Sequence, residues 1–143
     1  DTWLETDDRL IPHTVRPCDT GTFIPADHGP DEASCLLCKD FRALRSLGHA
    51  VLDDAFGTPQ RDDHGWSWVR LKGADDRTVV IGMDDHFRSW QICTGDELGS
   101  DLRRTAIAIE PMTCPPNAFA TGSDYDVIDP QGELTVEWSI ALR

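Results

Sequence analysis

Apolar and polar residues alternate through much of the second half of the chain. Trp66-Ser-Trp-Val-Arg-Leu-Lys72 puts Trp66, Trp68 and Arg70 on one face and Val69 and Leu71 on the other. Gly73-Ala-Asp-Asp76 is a hairpin signal, and Arg77-Thr-Val-Val-Ile81 pairs back from it. Met83 to Phe87 makes the next turn. In Ser89-Trp-Gln-Ile-Cys-Thr94 the residues Trp90, Ile92 and Thr94 share one face, while Gln91 and Cys93 share the other. Thr105 to Glu110 follows the same rule: Ile107 and Ile109 point one way, Ala106, Ala108 and Glu110 the other. Pro111 is expected to end the pairing there. The last stretch alternates cleanly, with Leu134, Val136, Trp138, Ile140 and Leu142 facing inward.

The first third is less regular. Residues 3–6 read as a short strand, Asp7-Asp8 as a turn, and Ile11-Pro12 as its close. Residues 13–38 carry Pro17, Gly21, Pro25, Gly29 and Pro30 without periodicity, so a long inserted loop is expected. Phe41, Leu44 and Leu47 fall at helical spacing, with Asp40 as a candidate N-cap and Gly48 as a stop. That spacing predicts a short helix, or a pair of turns, laid on a sheet. Thr121 to Asp126 reads as a turn. Many strands, hairpin turns and almost no helix predict an all-β fold, an antiparallel β-sandwich of face-to-face sheets.

A chain of 143 residues is of single-domain size. Its hydrophobic share of 39% is low, but five Trp and five Phe supply large apolar surfaces for one core. The net charge of −13, with no Lys/Arg cluster, argues against nucleic acid and anionic membranes as partners. It also argues mildly against phosphorylated ligands, whose sites favour Arg and Lys. A small, neutral, hydroxyl-rich molecule suits the composition better. No stretch approaches the roughly 20 apolar residues that span a bilayer. Five cysteines, an odd number, without a secretion signal fit a reducing cytoplasm.

Several side chains are candidates for chemistry. Glu110 ends a strand on a face otherwise lined by methyl groups, which leaves room for a small ligand. The Pro115-Pro116 pair stiffens the loop presenting Thr113, Asn117 and Phe119. A carboxylate so placed suits a general base; a solvated strand terminus is the plain alternative. Asp53 and Asp54 are adjacent acids in an apolar segment, so one of them must face something polar. Cys35-Leu-Leu-Cys38 has the spacing of half a zinc site, which Cys18 and His13 or His28 could complete. One such pair is a weak signal. Free thiols are the preferred reading, with zinc and a disulfide left open.

One stretch adds more. Ala106-Ile-Ala-Ile-Glu-Pro-Met-Thr-Cys-Pro-Pro-Asn-Ala-Phe119 resembles the C-terminal signature of the aldose 1-epimerase (galactose mutarotase) family. Residues 39–56, with their Asp-Phe-Arg run, and Trp90 to Asp96 look like further landmarks of that family in the same order. The likeness covers most of residues 39–143 and, more loosely, 1–12. It implies a large twisted β-sandwich with a sugar across a concave sheet face. Since members are about twice as long, the chain is expected to be a C-terminal portion, a single partial domain.

The resemblance also implies roles. Glu110 matches the catalytic base of the motif, and Asp53 and Gln91 match positions that contact sugar hydroxyls. Asp54 stands where many members have His, so one family contact is in doubt. The implied reaction interconverts the anomers of a free aldose such as glucose or galactose, with no cofactor and no metal. The family's acid is a His from its N-terminal half. His13, His28, His49, His64 and His86 match none of its positions, so this chain alone is expected to be inactive or very weak. A non-catalytic carbohydrate-binding protein on the same scaffold is the alternative. Exposed sheet edges would need self-association or pairing with an N-terminal half.

Overall fold

The alternating segments become strands, and the turns between them are built by aspartates. The structure, a computed structural model, describes residues 3–6, 11–12, 39, 41 and 43–143. The strands are β1 (Trp3–Thr6), β2 (Ile11–Pro12), β3 (Arg45–Ser46), β4 (Asp53–Gly57), β5 (Ser67–Lys72), β6 (Thr78–Met83), β7 (Ser89–Cys93), β8 (Ala108–Met112) and β9 (Trp138–Leu142). One short helix, α1 (Ala118–Thr121), follows β8. The first sheet runs β3-β1-β5-β6-β9 and the second β2-β4-β7-β8, with every neighbouring pair antiparallel. The expected loop at 13–38, with Cys18, Cys35, Cys38, His13 and His28, lies outside the described residues, as does the proposed cap Asp40.

One apolar cluster joins the two sheets. The second sheet contributes Phe56, Trp90 and Ile92; the first contributes Val69, Ile81 and Met83; connecting segments add Phe41, Leu47, Leu52 and Phe87. Each such side chain, fully buried, stabilises by about 1.5–3 kcal/mol. Trp90 brings a polar N–H into this core, and it donates to Ser67 Oγ of the facing sheet at 3.1 Å. On the opposite face of the first sheet the Trp66 and Trp68 rings stack with centroids 5.4 Å apart. Trp68 lies across Gly82, where a Cβ would come within 2.5 Å of its ring. Only glycine leaves the backbone open to that approach.

Four expectations need correction. The helical spacing over Phe41, Leu44 and Leu47 does not make a helix: Arg45–Ser46 pairs with β1 instead, and Leu44 is exposed. Two apolar anchors, Phe41 and Leu47, suffice to seat the segment. Strand β8 begins at Ala108, not Thr105, and runs through Pro111 to Met112. Pro111 stands opposite Trp90 in register, which an edge strand tolerates because its missing N–H leaves no second neighbour short of a bond. The turn expected over Thr121 to Asp126 loses its first residue to α1, which ends at Thr121 and is closed at Gly122 with φ +71°. Finally, the last strand is shorter than its alternation, and Trp138, Ile140 and Leu142 are 59%, 62% and 62% exposed. Their direction is the core's, since they pair with Met83, Ile81 and Val79. The second sheet does not extend over them.

Carboxylates fasten the turns by accepting backbone N–H groups. Asp62 Oδ1 accepts from His64 N and Trp66 N at 2.9 and 3.0 Å, and its Oδ2 accepts from Trp68 Nε1 at 2.8 Å. Those bonds, that of Trp68 foremost, hold the Asp62 carboxyl below its ordinary value. Asp96 joins two loops. It accepts from Thr94 Oγ1 and from Arg104 Nη1, while Arg104 also donates to Ala50 O and Gly48 O at 3.0 and 2.9 Å. Burial pushes the Asp96 carboxyl up, but Thr94 and Arg104 together outweigh it and hold the group below its ordinary value.

A carboxyl whose folded pKa is depressed stabilises the fold above its unfolded value, and that contribution is lost as pH falls through the folded value. The melting temperature is therefore expected to hold from neutral pH down to about 5 and to fall below about 4, near the unfolded carboxylate range. Asp96→Asn is expected to lower the melting temperature at pH 7 and to flatten the acid limb. Calorimetric scans across pH check both; an unchanged acid limb in the variant would remove Asp96 from the account.

Candidate functional site

The second sheet sorts its side chains by the period of two. On the core side lie Asp54 and Phe56 of β4, Trp90 and Ile92 of β7, and Ile109 of β8. The other face therefore carries Asp53, Ala55, Gln91, Cys93, Ala108 and Glu110. Three candidates from distant segments, Asp53, Gln91 and Glu110, thus come onto one face of three neighbouring strands. Gln91 stands directly between Ala55 and Glu110 in the pairing. Two strand spacings, on the order of 10 Å, separate β4 from β8 across this surface. Between the polar groups lie two small side chains, Ala55, which is fully buried, and Ala108, which is half-buried.

The hydrogen bonding has a direction. Gln91 Nε2 donates to Asp53 Oδ1 at 2.9 Å. A carboxylate only accepts, so the amide must turn its nitrogen toward Asp53 and its Oε1 away. Oε1 is buried and has no hydrogen-bond partner. Such an acceptor costs about 1–3 kcal/mol while it stays unsatisfied. Glu110 is exposed and makes no hydrogen bond or ion pair to the described residues. The face thus offers free carboxylate oxygens, with the unsatisfied amide oxygen buried beside them, and it repels anions.

Asp54 explains how its neighbour is held. Its carboxylate is buried, 2.6 Å from Lys39 Nζ, which is buried as well. The same Oδ2 accepts from Asp53 N at 3.2 Å. One of the two acids does face a polar partner inside the protein, and the other is left to the surface. Lys39 carries no motif; its role could not be read from spacing, since it pairs fifteen residues away. Thr94 extends the same framework: Thr94 N donates to Leu52 O at 2.8 Å and Leu52 N to Thr94 Oγ1 at 3.0 Å. The start of β4 is therefore pinned from both sides, next to Asp53.

Other groups lie elsewhere. His49, His64 and His86 occupy exposed turns. Asp84, Asp85 and His86 bring ligand-type atoms within 4.8 Å of one another, but Asp84 is already engaged, accepting from His86 N and Glu137 N. Phe119 is exposed and meets Tyr125 edge-on at 5.5 Å. An open cleft of about 510 Å³ lies between Ser46–Gly48, Thr94 and Arg104–Ile107, and does not include Glu110. Its Arg104 wall is committed to Asp96, Gly48 and Ala50. The shallow face of the second sheet is therefore the better candidate on chemistry.

Removing one partner of a buried ion pair strands the other charge, at a cost of about 3–5 kcal/mol. Lys39→Met is expected to destabilise the protein by that order, and Lys39→Met with Asp54→Leu to recover part of the loss. Urea unfolding of the three proteins measures it. A loss below about 1 kcal/mol for the single change, the scale of an exposed pair, would contradict the pairing.

No protein-family model matches the chain, and no curated protein and no solved structure is similar to it at a significant level.

Proposed function

We propose that this chain is the C-terminal part of an aldose 1-epimerase-like protein, with its two sheets forming part of a β-sandwich and a neutral hexose lying across the second sheet. The observation that supports this reading most is the convergence of Asp53, Gln91 and Glu110 on one sheet face. Motif resemblance singled these residues out from segments 57 positions apart, counted from Asp53 to Glu110 (110 − 53). The carboxylates on this face are acceptors that suit hydroxyl donors. Gln91 Oε1 gains the donor it lacks if the amide turns toward a sugar hydroxyl.

In this reading Glu110 takes the proton from the anomeric hydroxyl while an acid protonates the ring oxygen. The ring opens, the aldehyde turns about C1–C2, and closure on the other face gives the second anomer. Asp53 and Gln91 hold the remaining hydroxyls. No cofactor enters. The acid is placed outside the described residues, in a preceding half of the protein.

A second reading is a carbohydrate-binding protein without catalysis. What favours it is that, among the described residues, every histidine sits in an exposed turn outside the strands of this face. Polarimetry of fresh α-glucose and α-galactose, with binding followed by calorimetry, separates the two. Acceleration that Glu110→Gln reduces by about 10²–10⁴-fold supports base catalysis. Binding without acceleration, weakened about tenfold by Asp53→Ala or Gln91→Ala, supports the binding protein. Neither binding nor acceleration with any aldose would sink both.

A further inference from the structure

The geometry points to the free edge of β9 as a self-pairing surface, on which a second copy of this chain adds its own β9 antiparallel about a twofold axis at Ile140. The inference is independent of the sugar reading. Strand β9 ends the first sheet, so among the described residues one side of its backbone has no neighbouring strand. The phase of that side follows from the last rung of the sheet. Arg143 and Thr78 exchange both backbone hydrogen bonds at 2.8 Å, and Asp84 N donates to Glu137 O at 3.0 Å. Residues 137, 139, 141 and 143 therefore turn their N–H and C=O groups toward β6. Those of Trp138, Ile140 and Leu142 turn outward, to the unpaired edge.

The same three residues carry the exposed apolar side chains, at 59%, 62% and 62%. A long apolar edge with free backbone groups is a template for another strand. The sequence of β9 is complementary to itself in the antiparallel sense. With Ile140 opposite its own copy, Trp138 falls opposite Leu142 and Ser139 opposite Ala141. Beyond them, Glu137 falls opposite Arg143 at both ends. One register thus satisfies three requirements together. The outward-directed backbone groups meet in hydrogen-bonded pairs, the apolar side chains share one face, and opposite charges stand across from each other. A one-residue slip would set outward groups against inward ones and bring Glu137 away from Arg143. Both acid and base are exposed and available for this contact.

The charges favour a second copy over an unrelated strand, because a strand matching Glu137, the apolar triplet and Arg143 in order is this one reversed. The pairing would join two first sheets into one continuous sheet. The overhanging residues Trp138, Ile140 and Leu142 would then pack across the twofold axis.

Sedimentation over a concentration series tests it. The intact chain is expected to pass from monomer to dimer. Glu137→Arg alone, or Arg143→Glu alone, sets like charges across both ends and is expected to weaken the dimer at least about tenfold. The double exchange, Glu137→Arg with Arg143→Glu, restores opposite charges and is expected to restore the dimer. Ile140→Pro removes an N–H that points to the free edge, so it is expected to abolish the dimer while circular dichroism still reports a folded monomer. A chain that stays monomeric at every concentration would overturn the proposal. So would a dimer indifferent to the single charge reversals, or a double exchange no tighter than either single one.

Discussion

The bond from the Trp90 indole to Ser67 Oγ fixes more than a contact between two sheets. An indole N–H without a partner in a dry core is costly, and here its acceptor comes from the opposite sheet. Strand β7 can meet that demand in one register and one facing only. Once Trp90 points inward, Gln91 must point outward, and the pairing with β4 and β8 carries Asp53 and Glu110 to the same side. The core and the candidate site are thus the two faces of one decision. A slip by one residue would bury Gln91 and expose Trp90, so core energetics enforce the placement of polar groups that contribute nothing to the core.

Acidic residues serve two separate ends in this chain. Asp62, Asp75 and Asp84 accept backbone N–H groups two residues ahead and so set turns between strands. Asp54 and Asp96 answer buried or loop-bound cations, Lys39 and Arg104. Asp53 and Glu110 do neither of these. Part of the negative charge is therefore structural, and Asp53 and Glu110 on the sheet face are not among the acids that do that work. This sharpens the composition argument: a net charge of −13 says little about a ligand until the turn-forming carboxylates are set aside.

How much of this was legible in the sequence depended on whether local pattern or distant packing decided the outcome. The alternation in Trp66 to Lys72 and Ser89 to Thr94 specified both strand and facing, because a two-residue period has no competing helical reading there; Arg77 to Ile81 was legible as a returning strand, but Met83, expected in the turn, ends β6. The same local logic set Gln91 on the face opposite Trp90 and Glu110 on the face opposite Ile109, and the pairing of β7 with β8 then brought the two onto one face. The segment from Phe41 to Leu47 failed for the opposite reason. Its spacing suited a helix, but the edge of β1 offered backbone partners to Arg45 and Ser46, a tertiary fact with no local mark. The Lys39 to Asp54 pair was equally hidden, since only its acid half was conspicuous. In the last strand, alternation gave the direction of Trp138, Ile140 and Leu142 correctly but could not say whether anything would cover them.

That uncovered strand and the sheet face at Glu110 raise the same physical issue from two directions. The base proposed at Glu110 would need an acid on the far side of its ligand, and an apolar strand edge needs a neighbour. Neither requirement is met by the described residues acting alone. Self-pairing through β9 would satisfy the edge, yet the axis at Ile140 lies at the end of the first sheet, whereas Glu110 lies on the outer side of the second. The two sheets place these features on different walls of the protein. The proposed association through β9 and the role proposed for Glu110 are thus separable. Blocking the strand edge should leave the arrangement of Asp53, Gln91 and Glu110 as it was, because no backbone rung connects β9 to β7 or β8.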